Sequence, residues 1–205
     1  KTDSLVGSVA AYYTQFDDRI IKIANCAGIV GCPNSFVNVG SVVTRGVEIA
    51  GLWTIDRNWS VFSSLTMNDS TYQDNYYDNN KLINITDKQV VDSPKNMLKL
   101  ELSYDNSEWF SRLGGKYTDK RFYTYTNDAK VPAFWLFSLS AGYKPKSFGM
   151  LKDISVQLIV ENLFNKQYFS SMGTNGFDVS DPKGSLVTLQ AGAPRQLFLS
   201  FSAKM

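Results

Sequence analysis

The sequence predicts an all-β fold, the wall of an antiparallel transmembrane β-barrel with about eight strands. Three observations carry this. Eight segments alternate apolar and polar residues with a period of two, the pattern of a strand with one apolar and one polar face. The connections between these segments alternate short and long, and all the short ones fall at the same end. Aromatic residues reach 14%, yet mean hydropathy is slightly negative. No run of about 20 apolar residues exists to form a membrane-crossing helix, whereas a barrel hides its membrane signal in alternation.

Composition narrows the function classes. The chain has 205 residues, a formal charge of +2 and no histidine. Neither a basic nucleic-acid footprint nor an acidic tail is present, so no nucleic-acid partner is expected. The commonest general base and metal ligand is missing. The N-terminus, Lys1-Thr-Asp-Ser-Leu, has no signal-peptide hydrophobic region, which suggests a removed leader or a piece of a longer chain.

In chain order, residues 5–24 read as one long strand or a bent pair, with the Phe16-Asp-Asp-Arg19 step inside. Cys26 and Cys32 follow in a small loop with two glycines and a proline. Two cysteines without histidine are too few ligands for zinc. A local disulfide is the better reading, and it implies an oxidising compartment. A strand returns over residues 37–53, where Val47, Ile49 and Trp53 oppose Glu48 and Thr54. Ile55-Asp-Arg-Asn58 has turn composition.

Trp59, Val61, Leu65 and Met67 then alternate with Ser60, Ser64, Thr66 and Asn68. A polar, tyrosine-rich segment over 69–88 is too long for a hairpin loop. Leu98, Leu100, Leu102 and Tyr104 alternate with Lys99, Glu101 and Ser103, and Asp105-Asn-Ser-Glu108 is the next turn. Trp109, Leu113 and Tyr117 oppose Arg112, Gly114 and Lys116, followed by an aromatic-polar loop over 120–131. Trp135, Phe137, Leu139, Ala141 and Tyr143 form the next apolar row, and a turn begins at Lys144. Ile154, Val156, Leu158 and Val160 continue it, a long loop covers 171–193, and 196–205 is the last strand.

Short turns thus follow residues 55, 104 and 144, and long loops begin near 25, 69, 120 and 171. Outer-membrane barrels have short periplasmic turns and long extracellular loops. Trp59, Tyr104, Trp109 and Tyr143 gather at the short-turn end, where an aromatic girdle belongs.

Three segments carry a family resemblance. Glu161-Asn-Leu-Phe-Asn-Lys-Gln-Tyr168 resembles the Asn-Leu-Phe-Asp-Lys-x-Tyr segment near the end of TonB-dependent outer-membrane receptors. Asn38-Val-Gly-Ser-Val-Val-Thr-Arg-Gly-Val-Glu-Ile49 is similar to their Gly-Val-Glu strand. Gly192-Ala-Pro-Arg-Gln-Leu-Phe-Leu-Ser-Phe201 is similar to their closing Pro-Arg…Phe strand. The chain departs from the pattern in ending on Met205 instead of phenylalanine, and in lacking the family's plug and TonB-binding segment.

The resemblance implies the last part of a 22-stranded barrel with a plugged lumen. It implies import of a scarce nutrient with energy from TonB, which would engage the missing N-terminal part. A ferric siderophore or other iron complex is the commonest cargo of the family. Cobalamin, other metals and oligosaccharides stay open. The alternative is a self-contained eight-stranded barrel with a structural or adhesive role, also a permitted size.

Candidate site residues fall in two groups. Alternation turns Glu48, Lys99, Glu101, Arg112, Lys116 and Glu161 toward the lumen. A lattice of ion pairs hydrating the wall accounts for them, since charge on the lipid face costs about 2–4 kcal/mol at mid-bilayer. The long loops are the better binding candidates: Tyr72, Tyr76 and Tyr77 in one, and Arg121, Phe122, Tyr123 and Tyr125 in the next. Aromatics beside a cation suit an anionic iron chelate, or else they form an upper interfacial girdle. Asp69, Asp74 and Asp78 lack the glycine and closing glutamate of a calcium loop. No nucleophile–base pair or phosphate-cradling motif is present, so neither catalysis nor a cofactor is expected.

Overall fold

The computed structural model describes residues 4–24, 35–78, 80–145 and 152–204, and every regular element within them is a β-strand. In chain order, β1 (Ser4–Phe16) is followed by the short β2 (Ile20–Ile23) and β3 (Ser35–Asn38). The long β4 (Val42–Thr54) and β5 (Trp59–Tyr72) precede a second short pair, β6 (Tyr76–Asp78) and β7 (Lys81–Ile83). Next come β8 (Asn96–Asp105), β9 (Trp109–Thr118), and the short β10 (Arg121–Phe122) and β11 (Lys130–Val131). The chain ends with β12 (Phe134–Tyr143), β13 (Lys152–Glu161), the short β14 (Phe169–Met172) and β15 (Leu189–Ala191), and β16 (Gln196–Lys204).

The eight long strands form one sheet in the order β1-β4-β5-β8-β9-β12-β13-β16, with every neighbouring pair antiparallel. The four short pairs are separate ladders within the long connections. The large sheet is open, for β1 and β16 lie at its two ends and do not pair with each other. An eight-stranded closure is therefore not what these strands make.

Register turns the alternation into two coherent faces. Val9, Ile49, Leu65 and Leu98 align across four strands, and so do Leu5, Trp53, Val61 and Leu102. The opposite face carries Ala10, Glu48 and Thr66 in one row and Lys99 beside Lys116 in another. Trp59 lies tilted against Tyr104 with ring centroids 4.8 Å apart, and Trp109 against Tyr143 at 4.5 Å, gathering the four aromatics at the turn end. Phe110 lies over Gly142 on the neighbouring strand, covering backbone that a side chain at 142 would otherwise shield.

Aspartates build the short turns. Asp56 accepts hydrogen bonds from the Asn58 and Trp59 amides at 2.7 and 2.8 Å. Asp105 and Asn106 do the same for Ser107 and Trp109, each at 2.7 Å. The third turn, over 146–151, lies outside the described residues, as do Cys26, Cys32 and Met205.

Several boundaries differ from expectation. β1 stops at Phe16 because Asp18 takes a positive φ of 53°, so the segment is a bent pair whose second half leaves the wall to join β3. Gly40, at φ 69°, separates β3 from β4, and a side chain there would meet the Asp74 carboxylate. β5 runs to Tyr72 rather than ending near Asn68, in register with β4 throughout. Ile154 falls outside the regular ladder that carries Val156, Leu158 and Val160. It is buried in a bulge between residues 152 and 155, beside Asp153 at φ 46°.

Candidate functional site

The polar wall face brings the predicted charges together. Glu101 pairs with Lys99 at 3.5 Å and with Arg112 at 3.0 Å, so one carboxylate serves two cations. Lys99 also sits 5.3 Å from the Phe62 ring centroid. Lys116 is directly opposite Lys99, two like charges in one cross-strand pair. Lys99, Glu101, Lys116 and Glu161 line a single hollow of about 370 Å³ with Tyr168 and Gln196. Arg112 reaches that group only through Glu101, and Glu48 stands apart on β4. The hollow is zwitterionic, suited to polar side chains of both signs.

The long connections fold into a cap with its own core. Tyr72, Tyr76 and Tyr125 are buried with Ile21, Ile23, Val39, Val42, Ile83, Ile85 and Val90. Tyr125 is the hub: its ring meets Tyr72, Tyr76 and Phe177 edge-on at 6.1, 6.3 and 6.1 Å. Its hydroxyl donates to the Lys22 carbonyl at 3.0 Å, tying the third connection to the first. Burial pushes the Tyr76 and Tyr125 hydroxyls well above the ordinary phenol range. A second cluster joins Tyr123, Ala129, Val131 and Met172.

Arg121 is buried between these parts. Its guanidinium pairs with Asp92 at 2.8 Å and donates to the Phe169 carbonyl at 2.7 Å, joining the second, third and fourth connections. Burial raises the Asp92 pKa, and the Arg121 charge pulls it partly back. Both sequence readings of these aromatics, a ligand platform or an interfacial girdle, place them on a surface. The structure corrects that for Tyr72, Tyr76, Tyr123, Tyr125 and Arg121, whose side chains hold the connections to one another. Tyr77, 67% exposed, and the half-buried Phe122 remain open to a ligand.

Other organising residues carry weaker sequence signals. Buried Asp181 accepts from the Ser185 and Leu186 amides at 2.9 and 3.0 Å, which its Asp-Pro-Lys-Gly turn composition could have shown. Asn162 takes a positive φ of 49°, accepts from the Lys166 amide at 2.7 Å and donates to the Ala193 carbonyl at 3.0 Å. The Asn-Leu-Phe-Asn segment thus ends β13 in a tight turn and throws Phe164 outward onto Phe137, centroids 5.3 Å apart. Two of the three loop aspartates have separate partners: Asp69 pairs with Arg45, and Asp74 accepts from the Ser41 amide at 2.7 Å.

Comparison with known proteins agrees with this architecture. Residues 1–163 match the family model described as TonB dependent receptor-like, beta-barrel. The siderophore receptor PiuA from Acinetobacter baumannii superposes over 96% of this chain and 26% of its own, with 20% identity and a TM-score of 0.68. The ferric yersiniabactin uptake receptor FyuA from Yersinia pestis covers 96% of this chain and 27% of its own, at 16% identity and TM-score 0.67. The copper transporter OprC covers 95% and 28%, at 16% identity and TM-score 0.64. The chain spans about a quarter of the length of these structures.

Proposed function

The chain belongs to the TonB-dependent receptor-like β-barrel family, outer-membrane proteins that are receptors and transporters rather than enzymes, and on that premise we propose that it is the C-terminal part of a 22-stranded, plugged transporter. The observation that carries this is the open sheet: β1 and β16 each present an unpaired edge. A backbone edge in hydrocarbon leaves N–H and C=O groups without partners, each costing several kcal/mol. Further strands of a larger barrel satisfy both edges. The same observation weighs against a self-contained eight-stranded barrel.

The protein takes up a scarce nutrient, a ferric siderophore or other iron complex, with energy from TonB delivered through the missing N-terminal part. The zwitterionic hollow around Lys99 and Glu161 faces the plug, and the cap forms the outer binding surface, with Tyr77 and Phe122 as ligand contacts. Tyr72, Tyr76, Tyr123, Tyr125 and Arg121 preorganise that surface. No cofactor is needed, and Cys26 and Cys32, which lie outside the described residues, are proposed to form a disulfide, as expected from the sequence. Labelling of the unreduced protein with a thiol reagent should find no reactive thiol.

The test is uptake of radiolabelled iron complexes by iron-starved cells carrying or lacking the full-length gene. TonB-dependent accumulation that follows the gene supports the reading. Accumulation of cobalamin or copper instead, with iron unaffected, would sink the iron assignment while leaving the transporter standing. The copper transporter among the structural matches makes that comparison worth running first.

A further inference from the structure

Charges on the apolar face of the wall are unexpected, and one group stands there. Arg45 aligns with Tyr13 on one side and Asp69 on the other, in the register that also aligns Val9, Ile49 and Leu65. Asp69 receives Arg45 at 3.1 Å and Lys95 at 3.6 Å. Lys95 is held in place by its backbone, whose carbonyl accepts from the Asn68 amide at 2.7 Å.

The height of this group follows from strand geometry. The same-face series Trp59, Val61, Ser63, Leu65, Met67, Asp69 climbs about 33 Å along β5 at ~3.3 Å per residue, or about 25 Å vertically at a tilt of ~40°. An outer-membrane barrel has an apolar band of about 25 Å. With the Trp59–Tyr104 girdle at its lower edge, Asp69 lies at the upper headgroup level, on the lipid side.

The group is also unsaturated. Two cations share one carboxylate, leaving a net positive charge, and the Arg45 and Lys95 side chains remain 69% and 51% exposed. Asp69 takes the Nε and Nη2 edge of Arg45, so the Nη1 donors and most of the Lys95 ammonium donors point elsewhere. The next carboxylate along the rim, Asp119, accepts from Asn96 at 3.0 Å and Tyr117 at 3.3 Å. Val47 and Met67 lie two residues from Arg45 and Asp69 on the same face of each strand, and the adjoining hollow of about 570 Å³ is lined also by Tyr12 and Asn68 of the opposite face. Apolar surface below a guanidinium fork and an ammonium is complementary to an amphiphile with an anionic head.

We propose that Arg45, Asp69 and Lys95 form a binding site for the phosphate of an anionic outer-leaflet lipid, with its acyl chains against Met67 and Val47. The inference rests on the reading above that this face meets lipid. Asp69 holds the two cations apart and oriented, and the phosphate supplies the charge that Asp69 alone leaves uncompensated.

The experiment measures lipid retained by the detergent-solubilised full-length receptor in native mass spectrometry, after incubation with lipid A or its dephosphorylated form. Arg45→Gln with Lys95→Gln should cut lipid A retention by roughly tenfold through loss of two charge-assisted contacts. Lys95→Gln alone, outside any wall strand, should cut it by about threefold. Arg57→Gln, the same charge change in a turn, should not alter it, and Asp69→Asn should retain lipid A at least as well as wild type. Equal retention by the double variant, equal retention of dephosphorylated lipid, or displacement of lipid A by inorganic phosphate would each overturn the site. Heat-modifiable migration separates the two readings. A wild-type receptor without it would overturn the membrane assignment and this site together, whereas an intact barrel indifferent to these substitutions removes the site alone.

Discussion

In the wall, side chains leave the backbone toward two surroundings and few are buried. In the cap, short strands of two to four residues enclose a core that contains most of the buried hydrophobic residues. The wall is held by ladders of up to 13 consecutive pairs, so its local stability is set by backbone hydrogen bonds and by the medium outside. The cap holds together by burial of aromatic and branched side chains. One chain therefore uses the same strand geometry with two different sources of stability, and substitutions should separate them.

The largest effect is expected at the hub of the cap. Tyr125→Ala removes three ring contacts and the bond to the Lys22 carbonyl, at a cost of about 3–5 kcal/mol. Amide exchange should rise across residues 20–23 and 76–91 while the wall stays protected. Loss of protection in wall and cap together would mean that they unfold as one unit.

Leu100→Arg makes the converse test. It puts a charge in the middle of the apolar face at about 2–4 kcal/mol in a bilayer, and should lower the temperature of the heat-modifiable shift without loosening the cap. Arg121→Met should cost about 2 kcal/mol, less than a fully buried pair because Asp92 stays partly exposed. Its signature is faster exchange at Ser170–Met172 and near Asp92, the segments that Arg121 ties together.

The smallest effect is a pH dependence confined to the cap. Asp178 is buried with one carboxylate oxygen unpartnered, and burial followed by the Asp181 charge raises its pKa. The folded state then binds the proton more tightly than the unfolded state. This contribution is fully present below the ordinary aspartate value and is lost as pH rises through the raised one. Asp181 runs the opposite way. Burial opposes its charge, but the Leu186, Ser185, Val187 and Gly184 amides outweigh that and lower its pKa, so its contribution is lost on acidification. Asp178→Asn should flatten the alkaline side of the protection profile at Tyr125, whose amide donates to the Asp178 carbonyl at 3.1 Å. An unchanged profile would place the dependence elsewhere.

The sequence by itself determined the wall. A period of two needs only the local pleat, so the strands around Leu98–Tyr104 and Trp135–Tyr143, the aromatic pairs at the turn end and the sharing of one face by Lys99, Glu101 and Arg112 were all legible. The motif ending at Tyr168 marked the family, although its work as an Asn162-centred turn was not visible. Arg45 and Asp69 could have been found by carrying the alternation past Val47 and Met67, where apolar residues give way to charge on the same face.

Tertiary structure alone decided the cap. Tyr72, Tyr76 and Tyr125 meet across 53 residues of chain, and burial depends on that meeting, which no local period encodes. The same holds for Arg121, whose partners Asp92 and Phe169 lie 29 residues before and 48 after it. The open ends of the sheet are likewise a property of strand order, because alternation looks the same in a closed barrel of eight strands and in an arc of a larger one.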